Sequence, residues 1–255
     1  MRIHLFEFED QPWFPKIIRD YMTDFLQFAA KVFDIYKGIT DIIVRGVKAS
    51  GENQIIDMGA GGGGGWIKLA VQVQREIPDI KITLTDFYPN VEAFEKMKAN
   101  NKAIDFLSTP VDARAVDPKL RGLRTQFISL HHFRPADAQK ILQNAVDAKS
   151  PIAIFEAQER SIPNFISMII APINVLVMTP FIRPFKLGRI IFTYLIPIVP
   201  LITLWDGLVS VLRTYSPKEL NGLISQLENG DSFDWEIDRV KSGPAKILYL
   251  LGTPK

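Results

Sequence analysis

The chain has 255 residues, of which 47% are hydrophobic and 23% charged, so it can bury a sizeable core and is not intrinsically disordered. Its 30 basic and 28 acidic side chains leave a net charge of +2, which provides no field for holding nucleic acid. Because there is no cysteine, disulfides, thiolate nucleophiles and zinc–thiolate sites are excluded.

The N-terminal part of the chain is predicted to be helical. Its first ten residues, MRIHLFEFED, lack the apolar run of a secretory signal, so we expect a cytoplasmic protein. Apolar residues then recur at helical spacing from Ile17 to Val32, and a second helix is predicted over residues 35–48. We assign residues 1–50 to an N-terminal helical cap and residues 51–255 to one larger domain.

Residues 52–158 alternate between short apolar runs typical of strands and helical stretches. The predicted strands cover residues 54–59, 81–86, 104–110, 125–130 and 151–157, and the helices cover residues 66–77, 90–100 and 136–148. Such alternation indicates an α/β fold whose parallel sheet is covered by helices on both faces. Near the C-terminus, a helix beginning at Ser216 and two strands over residues 232–240 and 245–253 complete the pattern.

The most specific motif lies where the first predicted strand ends. Asp57 closes the strand, a turn with five consecutive glycines (residues 61–65) follows, and a helix begins at Trp66. A bare backbone ahead of a helix N-terminus lets a ligand come close to free N–H groups, so we predict a ligand-binding loop. The letters fit two patterns: G-x-G-x-x-G, as in dinucleotide-binding proteins, and D-x-G-x-G-x-G, starting at Asp57.

Two further acids follow the next two strands. Asp86 closes the second strand, 23 residues beyond Gly63, where a carboxylate can accept the hydroxyls of an adenosine ribose. Asp112 follows the third strand. In this order and spacing, the motifs resemble those of class I S-adenosylmethionine (SAM)-dependent methyltransferases. The resemblance covers roughly residues 52–158 and 213–253.

The resemblance implies a Rossmann-like, seven-stranded sheet of order 3-2-1-4-5-7-6 with an antiparallel last strand, and SAM as the cofactor. It implies that Asp112 holds the adenine amino group. The implied cofactor-binding residues are Asp57, Gly59, Ala60, Gly61, Gly63, Asp86, Phe87, Asp112, Ala113 and Ser129. An NAD-type oxidoreductase using the same loop is an alternative, although no tyrosine is followed four positions later by lysine. A membrane-interacting scaffold without activity is another.

His131 and His132, at the end of the fourth predicted strand, are the catalytic candidates. Either imidazole can serve as a base near neutral pH if the methyl acceptor must lose a proton. Adjacent side chains on a strand point to opposite faces, and the sequence offers no obvious third ligand, so no metal site is predicted. The alternative is that one histidine packs in the cleft and the other caps a turn.

Residues 161–212 form an apolar insertion in the larger domain. No charge occurs between Phe165 and Ile182, but repeated prolines are expected to interrupt helices, which argues against a membrane span. Three interpretations stay open: a lid over an apolar substrate, an interfacial hairpin in a bilayer, or ordinary core or a dimer face. In the second, three cations would meet lipid headgroups: Arg183, Lys186 and Arg189.

Four polar residues are candidates for binding the methyl acceptor, which we expect to be small and apolar or lipid-like. Asp206, Ser210 and Arg213 follow the insertion and share one face of a predicted helix. They either meet the acceptor or form an internal ion pair that holds the insertion down. Arg19, on the first helix, either covers the ligand site or belongs to a solvated face. The sequence leaves the oligomeric state open.

Overall fold

The computed structural model describes residues 2–255, and its centre is one seven-stranded sheet. The strand order is β3-β2-β1-β4-β5-β7-β6, with β1 to β5 parallel and β7 antiparallel to both of its neighbours. The predicted sheet is therefore confirmed. The strands are β1 (Gln54–Met58), β2 (Lys81–Thr85), β3 (Ile104–Phe106), β4 (Leu123–Phe127), β5 (Ile152–Glu156), β6 (Phe233–Ser242) and β7 (Ala245–Pro254).

Nine α-helices surround or extend this sheet in the described part of the chain. They are α1 (Lys16–Phe33), α2 (Thr40–Ser50), α3 (Trp66–Glu76), α4 (Val91–Asn100), α5 (Pro135–Asp147), α6 (Ile162–Met178), α7 (Leu187–Ile190), α8 (Ile198–Arg213) and α9 (Pro217–Ile224). The start of α9 is fixed by a capping box, in which Ser216 accepts from the Glu219 N–H and Glu219 accepts from the Ser216 N–H. The start of α4 is capped by the Asn90 side chain.

The two faces of the sheet bury separate cores. One core contains side chains of α2, α3 and α4, and the other contains side chains of α5 and α9. Ile39, Ile43 and Val47 are almost fully buried in the first of these cores. The structure therefore divides residues 1–50 differently from the predicted cap, because α2 belongs to the sheet's own helical cover.

A third core lies away from the sheet and joins the N-terminal helix to the apolar insertion. Ile18 and Phe25 of α1 pack with Val175 of α6 and Val199 of α8. We call α1 together with α6, α7 and α8 the helical layer. Burial of these apolar side chains drives the two sequence-distant segments together, so the first helix and the insertion form one unit.

Prolines interrupt the insertion less than predicted. Helix α6 runs for 17 residues with Pro163 in its first turn and Pro172 in its interior. Pro163 costs little, because the N–H groups of a first turn have no partner within the helix. Pro172 removes one backbone hydrogen bond but does not end the helix. The expectation that these two prolines break the helix was wrong.

Candidate functional site

The glycine loop joins β1 to α3 and depends on left-handed backbone geometry. Gly59, Gly61 and Gly63 have φ values of 68°, 57° and 73°. A residue with a Cβ pays about 1–2 kcal/mol for that conformation, so glycine is favoured at these three positions. The loop is anchored to the neighbouring strand, since the Ala60 N–H donates to the Thr85 carbonyl at 2.9 Å.

Asp86 holds the glycine loop from the end of β2. One carboxylate oxygen accepts the Gly61 N–H at 2.8 Å and the other accepts the Tyr88 N–H at 2.8 Å. Burial raises the pKa of Asp86, and these backbone hydrogen bonds offset only part of the increase. The Val111 N–H donates to the Asp86 carbonyl at 2.8 Å, so the loop carrying Asp112 meets the loop carrying Asp86.

Space for a ligand lies on one side of the loop. A Cβ placed on Gly61 would meet no atom within 4 Å, and one placed on Gly59 would lie 3.5 Å from the Ser129 Oγ. That hydroxyl is buried and has no hydrogen-bond partner among the described residues. An open backbone beside an unpartnered hydroxyl and a strand-end carboxylate fits a polar organic ligand such as an adenosyl group.

Asp57 supports this edge from inside. Its carboxylate is 2% exposed and accepts hydrogen bonds from Trp66 Nε1 at 2.9 Å and Thr125 Oγ1 at 2.8 Å. Burial raises the pKa of Asp57 to about 7, although both hydrogen bonds oppose the increase. The side chain connects β1, α3 and β4, so it positions the loop rather than facing the open side.

The remaining predicted cofactor residues lie around the same edge. Asp112 forms a two-pronged ion pair with Arg114, whose guanidinium lowers the carboxylate's pKa. An adenine amino group would therefore share Asp112 with Arg114. Phe87 is 47% exposed and stacks edge-on against Tyr88, whereas Ala113 is buried.

Helix α1 covers part of the glycine loop through Gln27, a residue that the sequence did not single out. A Cβ on Gly64 would lie 2.2 Å from Gln27 Cγ, and one on Gly62 would lie 1.7 Å from Gln27 Nε2. Two of the five consecutive glycines are thus explained by close packing against α1. A cavity of about 10 Å³, roughly one water molecule, lies between α1 and Gly64–Gly65.

The two candidate catalytic histidines do not point apart. After β4 the chain turns through one turn of 3₁₀ helix at Leu130–His132, and the two imidazole rings stack with centroids 4.3 Å apart. The prediction of opposite directions was wrong, because it assumed that the strand continued to residue 130. His131 is 1% exposed, and its Nδ1 lies 3.0 Å from Glu156 Oε2.

His132 lies among carboxylates from the N-terminal segment, which we define as residues 2–15. Its Nδ1 lies 3.1 Å from Glu7 Oε2 and 2.9 Å from Asp10 Oδ1. Burial alone would lower the pKa of His132, but Asp10 and Glu7 raise it well above its usual value. The ring therefore carries a proton near neutral pH and is a poor general base in this arrangement.

The predicted acceptor-binding residues hold the N-terminal segment. Asp206 accepts the Phe8 N–H at 2.8 Å, and the Ser210 hydroxyl donates to Glu7 Oε1 at 3.0 Å. Arg213 is 3% exposed and contacts the Leu5 carbonyl, Glu7 and Asp10. Arg19 donates to the Glu9 and Gln11 carbonyls. For Asp206, Ser210 and Arg213 these contacts favour the alternative of internal pairing over acceptor binding. Arg19 matches neither of its two interpretations, because it binds backbone carbonyls of the N-terminal segment.

Two of the three cations predicted to meet lipid headgroups are paired with a carboxylate of the protein itself. Arg189 is 2% exposed, contacts Asp24 Oδ2 at 2.6 Å and donates to two backbone carbonyls. Lys186 lies 2.9 Å from the same carboxylate oxygen. Arg183 alone of the three is exposed without a carboxylate partner among the described residues. The prediction for Arg189 was wrong, because its charge is neutralised within the helical layer.

The fold is shared with solved O-methyltransferases. Human N-acetylserotonin methyltransferase in complex with SAM aligns with 96% of this chain and 59% of its own, at 16% identity and a TM-score of 0.53. An O-methyltransferase from neocarzinostatin biosynthesis, in complex with SAM and a hydroxymethylnaphthoic acid, aligns with 91% of this chain and 57% of its own, at 14% identity and a TM-score of 0.52.

The chain spans somewhat under three fifths of the length of these two enzymes. No protein-family model matches the sequence, and no curated protein matches it either. The sheet order and its antiparallel strand agree with the fold of these two structures. The chain therefore has the fold of the class I SAM-dependent methyltransferases.

Proposed function

We propose that the chain binds SAM at the edge formed by the glycine loop, Asp86 and Asp112, and transfers its methyl group to a small acceptor. The observation that carries this proposal is the hydrogen bond from the Gly61 N–H to Asp86, which joins the bare loop to the strand-end acid. The open side of Gly61 and the unpartnered hydroxyl of Ser129 support it.

When bound, SAM supplies an electrophilic methyl group on a sulfonium. The protein's contribution is mainly alignment, which can supply about 7–11 kcal/mol of the barrier. Asp86 and the loop hold the donor, and Asp57 keeps the loop in place through Trp66 and Thr125. A base is needed only for an acceptor that must lose a proton. His131, oriented by Glu156, stays the predicted base, whereas His132 already carries its proton.

A ligand that covers the whole glycine loop would have to displace α1. Gln27 packs directly over Gly62 and Gly64, so a shift of α1 would uncover the loop. Because α1 shares a core with α6 and α8, the same motion would open the space between the helical layer and the sheet.

Thermal unfolding with SAM, S-adenosylhomocysteine or NAD tests the cofactor. A ligand present at 100 times its Kd stabilises the native state by about 2.7 kcal/mol. Both adenosyl ligands are expected to raise the Tm, and NAD is not. Stabilisation by NAD alone would favour the oxidoreductase, and no stabilisation by any of them would favour the scaffold. Mass spectrometry of lipid extracts incubated with SAM would then identify the acceptor.

We further propose that the insertion makes a peripheral contact with membranes, which fits an apolar or lipid-like acceptor. By length and composition, Ile162–Phe181 could cross a membrane, and only 11% of its apolar window is buried. The exposed side chains recur every three or four residues and so form one apolar face of α6: Ile162, Ile166, Ile169, Ile173 and Val177. Such a face favours insertion into the lipid surface.

Vesicle flotation tests this contact. Wild-type protein is expected to float with neutral phosphatidylcholine vesicles, because the apolar face rather than a cation cluster carries the binding. The double change Ile169→Glu and Ile173→Glu should abolish flotation, whereas Val71→Glu, at an exposed position on α3, should not. Unchanged flotation of the double variant would reject the proposal. A wild-type dimer that the same double change dissociates would indicate a protein interface instead.

A further inference from the structure

The turn after β4 and the N-terminal segment bring together three side chains that commonly bind metal ions. Glu7, His131 and His132 each place one ligand atom within 4.8 Å of the others. Glu7 was not a candidate in the sequence, because it lies more than 120 positions from the histidines. Two imidazoles and one carboxylate are a ligand set typical of zinc.

One carboxylate oxygen of Glu7 forms ion pairs at this place but no hydrogen bond. The residue is 0% exposed, and its Oε1 accepts from the Ser210 hydroxyl at 3.0 Å. Its Oε2 makes no hydrogen bond, although it lies 3.1 Å from His132 Nδ1 and 3.2 Å from Arg213. His132 Nδ1 makes none either, and Asp10 Oδ1 is 2.9 Å away. The atoms converge with poor hydrogen-bond geometry.

The separations from His132 Nδ1 are close to those around a zinc ion, and the ligand atom of His131 lies within 4.8 Å of those of Glu7 and His132. Zinc bonds of about 2.0–2.1 Å in a tetrahedron place neighbouring ligand atoms about 3.3 Å apart. The contacts from His132 Nδ1 to Glu7 and Asp10, at 3.1 Å and 2.9 Å, need to widen by only a few tenths of an ångström. Small shifts of side chains would therefore admit an ion.

His131 is held in the orientation that a ligand requires. Glu156 contacts its Nδ1 at 3.0 Å and accepts its backbone N–H at 3.1 Å, so Nε2 is the nitrogen left for a ligand. Metal-bound histidines usually have their second nitrogen on a carboxylate, which fixes the ring and raises its basicity. Glu156 would act as that positioning residue.

The charges nearby leave room for a cation. Three carboxylates lie around His132: Glu7, Glu9 and Asp10. The Arg213 guanidinium contacts two of them, Glu7 and Asp10. The charge of a divalent cation placed among these groups would be compensated by the carboxylates.

We propose that Glu7, His131 and His132 form a site for a divalent transition metal ion of the zinc type. The ion would join the N-terminal segment to the turn after β4. The proposal does not depend on methyltransferase activity. It changes the role of His131, however, because an imidazole bonded to a metal ion cannot act as a base.

Metal titration of the full-length protein tests the site. After removal of metal with EDTA, Co²⁺ is added as a visible probe and Zn²⁺ as a calorimetric one. We expect one ion per chain and the intense visible absorption of four-coordinate Co²⁺, displaced by Zn²⁺. Glu7→Gln and His132→Gln should each weaken binding at least 10-fold. His4→Gln is the control, because His4 is the chain's third histidine and lies outside the set.

Several results would overturn the proposal. Wild-type protein that binds no Co²⁺ contradicts it without reference to any variant. Unchanged affinity in Glu7→Gln and His132→Gln, or loss of binding in His4→Gln, contradicts it equally. Circular dichroism checks that the variants are folded. Stabilisation by S-adenosylhomocysteine is measured separately, so failure of the metal site and failure of the cofactor proposal give different results.

Discussion

Two acidic side chains in different regions of the molecule, Asp57 and Asp10, have opposite environments. Asp57, under the loop, has only neutral donors as partners, and burial raises its pKa to about 7. Asp10, in the N-terminal segment, also pays for burial, but His132 and Arg213 hold its pKa below its usual value. Neutral hydrogen-bond donors hold the Asp57 carboxylate, whereas charged side chains hold the Asp10 carboxylate.

This difference indicates what each region can tolerate. At the sheet edge formed by the glycine loop, Asp86 and Asp112, hydrogen bonds and glycines in the left-handed conformation set the loop geometry. Small changes of shape there should therefore affect ligand binding more than stability. In the N-terminal segment, buried charges compensate one another, so removal of one partner leaves another uncompensated.

The largest expected effect is that of Arg213→Ala. Arg213 is buried and contacts Glu7 and Asp10, so its removal leaves two carboxylates without their guanidinium. Loss of one partner of a buried ion pair costs about 3–5 kcal/mol. Urea unfolding should show this loss. The control is Arg239→Ala, whose exposed pair with Glu159 should contribute at most about 1 kcal/mol. Equal losses in both variants would contradict the comparison.

The pH dependence of stability should differ between the two regions. A raised folded pKa means that the stability contributed by Asp57 is complete below its unfolded value of 3.8 and is lost as the pH rises through about 7. The folded pKa of Asp10 is lowered instead. The stability that Asp10 contributes is therefore complete well above pH 3.8, its unfolded pKa, and is lost as the pH falls below that value. Each proton changes the slope by up to about 1.4 kcal/mol per pH unit.

Urea unfolding from pH 2 to pH 8 covers both slopes. Asp57→Asn should remove the loss of stability between about pH 5 and 7, with a lower stability at every pH because one hydrogen-bond acceptor is replaced. Asp10→Asn should instead reduce the fall in the free energy of unfolding at acidic pH. The same slope change in both variants would mean that the two environments do not differ in the way described.

Gly61→Ala should have a smaller effect on stability and a clearer one on ligand binding. Its left-handed backbone makes alanine unfavourable by about 1–2 kcal/mol, and the new methyl group would occupy the open side of the loop. Gly222→Ala is the matched control, because its Cβ would also meet open space but on the helix α9, where alanine is favoured. Undiminished binding of S-adenosylhomocysteine by Gly61→Ala would place the ligand elsewhere.

Much of the fold could be predicted from local patterns. The alternation of strands and helices and the capping residue Ser216 are encoded within a few residues of one another, and the observed bounds differ mostly by one to three residues. The third strand is an exception, because it ends at Phe106 rather than at residue 110. The glycine loop and Asp86 were found for the same reason: each lies at the end of its own strand.

The rest of the site depends on contacts between distant segments. Gln27 covers Gly62 and Gly64 from α1, and Glu7 meets His132 across the sheet edge. No periodicity or spacing in the sequence carries that information. Arg213 shows the same limit, since its position on a helix face was predicted but its partners in residues 2–15 were not. The apolar insertion was recognised by composition, whereas its joint core with α1 required the fold.

The most direct test of the central claim is calorimetric titration of S-adenosylhomocysteine into wild type, Asp86→Ala and Asp105→Ala. Asp105 is an exposed acid on the neighbouring β3 and serves as the control. If the glycine loop and Asp86 form the cofactor site, wild type and Asp105→Ala bind equally. Asp86→Ala should then lose about 1.5–3 kcal/mol, or about 10–150-fold in affinity, while remaining folded. Equal affinity in all three proteins would contradict the assignment of this edge as the cofactor site.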